Sequence, residues 1–250
     1  VSEIADELHH AIVVNFWPMI EGDLLDASVE WRVGTAIGII QIGIPDELKA
    51  YVRAANVDQS IDAFDENSTV KLLEEDEVAH FNAEIKIPAR HIEDETKHNA
   101  FDGQVAVGVT RLSEEESNKL KVFQERYKDS GISLINRFAY IRSARMVVDY
   151  EELVDGNCNN HVGVIRAGTF RQADRSEITK ADNMVEQFLR DSEPPMHNHW
   201  KFWEKISSNY KKGAKSSVEN AFAAVAANAR KLLKPVLQGV NERPKGLADK

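Results

Sequence analysis

The sequence predicts an α+β fold, a mixed and largely antiparallel sheet with flanking helices and a C-terminal helical segment. Three observations carry the prediction. Segments of apolar–polar alternation recur between Ser28 and Ala167, helical spacing interrupts them, and beyond Thr179 only helical spacing remains. The weakly patterned stretch between Gly168 and Thr179 divides the 250 residues into a mixed-sheet domain over 1–170 and a helical tail packed on it over 171–250.

Ser2–Phe16 reads as a helix, with Ser2 as N-cap, Glu3, Asp6 and Glu7 complementing the dipole, and Ile4, Leu8, Ile12 and Val13 as its apolar stripe. Pro18 and the run Glu21-Gly22-Asp23 are expected to end it. Val29 and Trp31 alternate with Ser28, Glu30 and Arg32 as a strand. Ala36–Ile42 forms a second strand, reached through a hairpin at Gly34-Thr35. Pro45 opens a helix running to Ala55. Val57–Glu77 is acidic and reads as loop with a short strand. His80–Pro88 and Gly103–Leu112 are strands, the first stopped by its proline. Ser113 with Glu116 three residues on makes a capping box for a helix to Lys128. Ile132–Ile141, Arg145–Tyr150 and His161–Ala167 read as strands. Thr179 with Asp182 opens the next helix, and Trp200, Trp203, Ile206 and Tyr210 space a short one. Val218, Phe222, Val225, Ala229, Leu232 and Val236 then recur at alternating four- and three-residue steps, a packing seam that fits either the chain's own core or a homodimer through 218–236.

Composition bounds the function. Apolar residues at 42% supply a core and charged residues at 29% a soluble surface. No apolar run reaches the roughly 18–20 residues of a membrane span, so no membrane partner is expected. Cys158 is the sole cysteine, which excludes an intrachain disulfide and a cysteine metal cluster. A reduced, cytoplasmic protein is expected. The net charge of −10 is concentrated: Asp58–Asp102 holds 13 acidic and 4 basic residues, whereas Lys201–Lys250 holds 11 basic and 4 acidic. A basic tail of that kind allows nucleic-acid contact through 201–250. The chain begins at Val1 within a helical pattern and reads as part of a longer protein.

Three sets of residues have chemical potential. His197 and His199 share a face if the segment is extended, with Glu193 as the nearest third ligand for a metal. Asp76 with Glu84-x-Lys86 has the residue types of a metal-dependent nuclease, although such alternation also describes an exposed strand face. Arg142, Arg145 and Arg166 lie at strand ends, where guanidinium groups bind phosphate or carboxylate bidentately or pair with nearby acids. Phosphate-cradling glycine loops and acyl-transfer signatures are absent, so no complete active site is legible.

The pieces AIVVNFWPMIEGDLLDASVEW, IRSARMVVDY, HVGVIRAG and LRDSEPPMHNHW resemble the region downstream of the ATPase module in prokaryotic GHKL-type ATPase-like proteins, the superfamily of DNA gyrase and the heat-shock chaperone. The resemblance implies a transducer-like domain over 1–170. It also implies that ATP and magnesium bind in an absent upstream domain and that no cofactor is held in this segment. A basic transducer residue can reach the nucleotide in that superfamily, and no motif here says which one. The expected function is therefore a non-catalytic coupling module partnered by an upstream domain of the same protein. A metal-dependent hydrolase or nuclease and a nucleic-acid-binding module stand as alternatives.

Overall fold

The computed structural model describes residues 2–56, 61–62, 72–92, 97–154, 158–171, 178–196, 198–201 and 203–233. Helix α1 (Ser2–Glu21) runs five residues past the predicted end and contains Pro18. Proline has no N–H to give the Val14 carbonyl four residues back. The Tyr150 hydroxyl supplies the missing donor at 2.6 Å, and it accepts in turn from Trp17 Nε1 at 3.1 Å. A tertiary bond thus carries the helix through its proline.

Strands β1 (Ser28–Val33) and β2 (Ala36–Gln41) form a two-stranded antiparallel hairpin joined at Gly34-Thr35. A 3-10 turn at Asp46–Leu48 leads into α2 (Lys49–Ala55). The main sheet comprises β3 (Ile61–Asp62), β4 (Val78–Ile87), β5 (Phe101–Arg111), β6 (Arg137–Ile141), β7 (Val147–Glu151) and β8 (His161–Arg166), in the order β3-β4-β5-β8-β6-β7. Three of its pairings are antiparallel, while β3–β4 and β6–β8 are parallel. All six residues of β8 are buried, as expected of a strand covered on both faces.

Helix α3 (Glu114–Arg126) starts at the Ser113–Glu116 capping box. The predicted strand over Ile132–Ile141 is shortened to Arg137–Ile141. Gln124 Oε1 accepts from the Leu134 and Ile135 N–H groups at 2.7 and 3.2 Å, and Asn136 is left-handed at φ 57°. Those residues have exchanged ladder bonds for a side-chain anchor. Helices α4 (Lys180–Asp191), α5 (Trp203–Asn209) and α6 (Ala214–Leu233) follow.

The sheet separates two cores. On one face α1, α2 and α3 place Trp17, Tyr51 and Leu120 against Val162 and Val164. On the other, α4, α5 and α6 pack Phe188, Ile206 and Phe222 against alternate residues of β4, β5 and β6. Residues before and after position 170 therefore share a core. The seam expected to allow a homodimer is used internally: Val218, Phe222, Val225, Ala229 and Leu232 are buried on the chain's own sheet, and Val236 lies outside the described residues. No helix among the described residues is long and apolar enough to cross a membrane.

Candidate functional site

The β6–β7 turn is built from Arg142, Ser143, Ala144 and Arg145. The Arg145 N–H closes it on the Arg142 carbonyl at 2.7 Å, and Arg145 takes the left-handed conformation at φ 51°. Such a conformation is uncommon outside glycine, asparagine and aspartate and needs support from its surroundings. Helix α4 and the residues just beyond its end provide it with two buried carboxylates. Glu186 accepts from the Ser143 N–H at 3.3 Å and from the Ser143 hydroxyl. Glu193 lies 3.5 Å from Arg142 Nε through Oε1, which also accepts from Trp200 Nε1 at 3.0 Å. Gly168 completes the support: at φ 63°, a Cβ there would stand 1.9 Å from Glu186 Oε2.

Helix α4 is itself fixed at its start. Thr179 and Asp182 form a reciprocal capping box, and Arg171 Nε donates to Asp182 Oδ1 at 2.6 Å. Burial opposes the ionised Asp182 carboxyl, but the Arg171 and Thr179 bonds outweigh it and hold its pKa below the usual value.

Arg145 and Arg166 converge on one ring. Their guanidinium carbons lie 5.0 and 6.0 Å from the Phe170 centroid, within cation–π range. Arg145 Nη1 also reaches the C-terminal end of α1, 2.1 Å from where a Cβ on Gly22 would sit. That helix end carries the negative pole of the macrodipole. Beside the turn, an open cleft of about 520 Å³ is lined by Arg142, Ser143, Arg145, Thr169, Phe170 and Arg190 among others.

Arg166 is the unusual member. It continues the Val162–Val164 face of β8, between Ala106 and Ile141, and is only 5% exposed. Among the described residues its Nε has no hydrogen-bond partner and no carboxylate pairs with it. Burial, reinforced by the positive charge of Arg171, lowers its pKa to about 10. It therefore remains a cation at neutral pH, and its field helps burial to depress the pKa of His80.

The other predicted sets disperse. Asp76 lies ahead of β4, where Arg53 Nη2 contacts it at 3.3 Å, whereas Glu84 and Lys86 lie near the strand's far end and contact each other at 3.5 Å. At least six strand residues intervene, roughly 20 Å, so one ion does not bridge Asp76 and Glu84. Glu193 is engaged by Trp200 and Arg142, and the His199 ring contacts Asn198 Oδ1 at 3.0 Å. His197 lies outside the described residues. No group of three or more His, Cys, Asp or Glu among the described residues is arranged to hold a metal. In the basic tail, Lys201, Lys205 and Lys215 contact Glu151, Asp191 and Glu219, and 234–250 lie outside the described residues.

Sequence reasoning singled out the arginines but missed Phe170 and Glu186. A lone aromatic and a helical glutamate carry no local signature: Phe170 ends the 3-10 turn that follows β8, and the docking of α4 brings Glu186 to the β6–β7 turn. No family model matches the chain, and no curated protein or solved structure matches it.

Proposed function

We propose that the chain is a non-catalytic coupling and interaction module of a larger, ATP-dependent protein, whose arginine cluster receives an anionic group presented by a neighbouring nucleotide-binding domain. One observation carries this reading. Arg166 is a buried cation without an acidic partner among the described residues, while Glu186 and Glu193 nearby are committed to the turn. An uncompensated buried charge costs several kcal/mol, and a phosphoryl or carboxylate group held in the cleft, which Arg166 itself does not line but whose Phe170 it lies over, offsets part of that cost. Arg145 and Arg190 add planar forks suited to oxyanions. Arginine keeps its proton, so such a cluster binds and orients charge without proton transfer.

The coupling role is supported by what the turn touches. Its Ser143 is bonded to α4, its Arg145 reaches the end of α1, and its two strands belong to the main sheet. An anion drawn onto Arg145 bears on helices of both faces at once. On the reading that the chain resembles GHKL-type proteins, the nucleotide would be bound by a domain upstream of Val1.

Titration calorimetry with pyrophosphate at low salt tests the binding half. Arg145→Gln and Arg166→Gln are each expected to weaken binding by about tenfold or more, roughly 1.4 kcal/mol. Without ligand, Arg166→Gln is expected to be neutral or stabilising, because it removes a buried unpaired charge. Absence of binding in the parent chain, or binding in both variants as tight as in the parent, overturns the reading. A nucleotide-binding domain encoded immediately before Val1 is the expected context, and an unrelated domain there removes the coupling role.

A further inference from the structure

We propose that β2 is the pairing edge of a two-fold homodimer, in which β2 of one copy adds antiparallel to β2 of a second. The β1–β2 hairpin stands apart from the main sheet as a sheet of two strands, so both of its edges lack a ladder partner among the described residues. The Ile42 N–H donates to the Ala27 carbonyl, and the register continues from that bonded pair through Val29–Ile40 and Trp31–Gly38. Antiparallel pairs alternate between bonded and non-bonded. The backbone groups of Ser28, Glu30 and Arg32 on β1, and of Ile37, Ile39 and Gln41 on β2, therefore point outward.

These two edges are treated differently by the sequence. Free edges are commonly guarded against self-association by charges, proline or bulges. Glu30 and Arg32 guard β1. Strand β2 (AIGIIQ) has no charge, proline or bulge, and Ile37 and Ile39 are each 57% exposed. Such an edge is a template for another strand.

Self-pairing satisfies the geometry of β2. A two-fold axis at Gly38 sets Ile37 against the second copy's Ile39, and the reverse, as bonded pairs of outward-facing residues. The Gly38 residues then meet as the close, non-bonded pair on the axis, where the lack of side chains admits both backbones. On that face Trp31 already lies over Gly38, its ring 2.2–2.4 Å from an ideal Cβ position, so the two indoles flank the axis. On the opposite face each cross-sheet row reads Arg32, Ile37, Ile39, Glu30 through the two copies. Unlike charges end every row, and no like charges are brought together. Pairing through β1 would leave the isoleucines in water. The strand contact alone buries several hundred Å², below the ~1,200 Å² of stable interfaces, so the dimer is weak and concentration-dependent.

Sedimentation velocity of the full chain from about 5 to about 500 µM tests this. A reversible monomer–dimer shift is expected, with association weakened ~10-fold or more in Ile39→Lys. It is expected to be unchanged in Val122→Lys, which alters an equally exposed apolar side chain on α3. Hydrogen exchange of the parent chain should slow at the Ile37 and Ile39 amides as concentration rises, a readout independent of how any variant folds. A monomer throughout the range, the result expected if β2 accepts a strand from a different protein, overturns the proposal. So does a dimer that survives Ile39→Lys, a dimer equally lost in Val122→Lys, or unchanged exchange at the β2 amides.

Discussion

His10 is buried between α1 and α3, its ring stacked 3.8 Å from that of Tyr127, and neither ring nitrogen has a hydrogen-bond partner among the described residues. Burial first, and His9 second, lower its pKa from 6.5 to about 4. Between those values the unfolded chain binds a proton that the folded chain rejects. The stabilising contribution is therefore fully present above the unfolded pKa and is lost as pH falls toward 4. Urea unfolding is expected to show about 2 kcal/mol less stability from this residue at about pH 5 than at about pH 7.5. The His10→Phe variant should lose that increment while retaining the parallel contributions of His80 and His161, whose pKa values burial also lowers. An unchanged pH dependence in the variant would remove His10 from the account. The same reasoning distinguishes the arginines: Arg142 has Glu193, Arg145 has Phe170 and a helix end, and Arg166 has no anion among the described residues. The sequence names all three, but burial and pairing separate their roles.

Elements defined by local chemistry were legible. The Ser113–Glu116 capping box forms as read, and Thr179 with Asp182, read only as a helix start, closes a second one, because a hydroxyl and a carboxylate three residues apart need only the first helical turn to meet. The alternation of β4 likewise places Phe81, Ala83, Ile85 and Ile87 on one core face. Helix α1 was misjudged at Pro18 because the compensating donor, Tyr150, lies 136 residues from Val14. Tyr150→Phe is expected to cost about 1–3 kcal/mol, since it leaves the Val14 carbonyl and the Trp17 indole N–H without partners. Adding Pro18→Ala, which restores an N–H to Val14, should recover part of the loss. A double-mutant cycle by urea unfolding checks this, and strict additivity would show that the two positions are not linked.

At the scale of the molecule, the main sheet is one wall shared by two cores, and β6 and β8 contribute side chains to both. Trp17 reports on one core and Trp200 on the other. Helices α4 to α6 are thereby expected to unfold with the body of the protein. Far-UV circular dichroism and tryptophan fluorescence should give coincident urea transitions. A fluorescence transition preceding loss of secondary structure would mark the tail beyond residue 170 as a separate cooperative unit. Shared walls also suit the proposed coupling, because the β6–β7 turn is bonded to α4 on one side and approaches α1 on the other.

The sequence by itself determined the α+β class, the order of the helices and strands, and the arginines at the strand ends. Periodicity, capping and turn chemistry act over a few residues, and their physics is complete within a short window. Tertiary structure alone decided the parallel β6–β8 pairing, the use of the α6 seam within the chain, and the dispersal of Asp76, Glu84 and Lys86. It also decided that Arg166 is enclosed while Glu186 and Glu193 are spent elsewhere. Burial and the allocation of counter-charges depend on which distant segments close over a residue, and that is a property of the assembled sheet and helices.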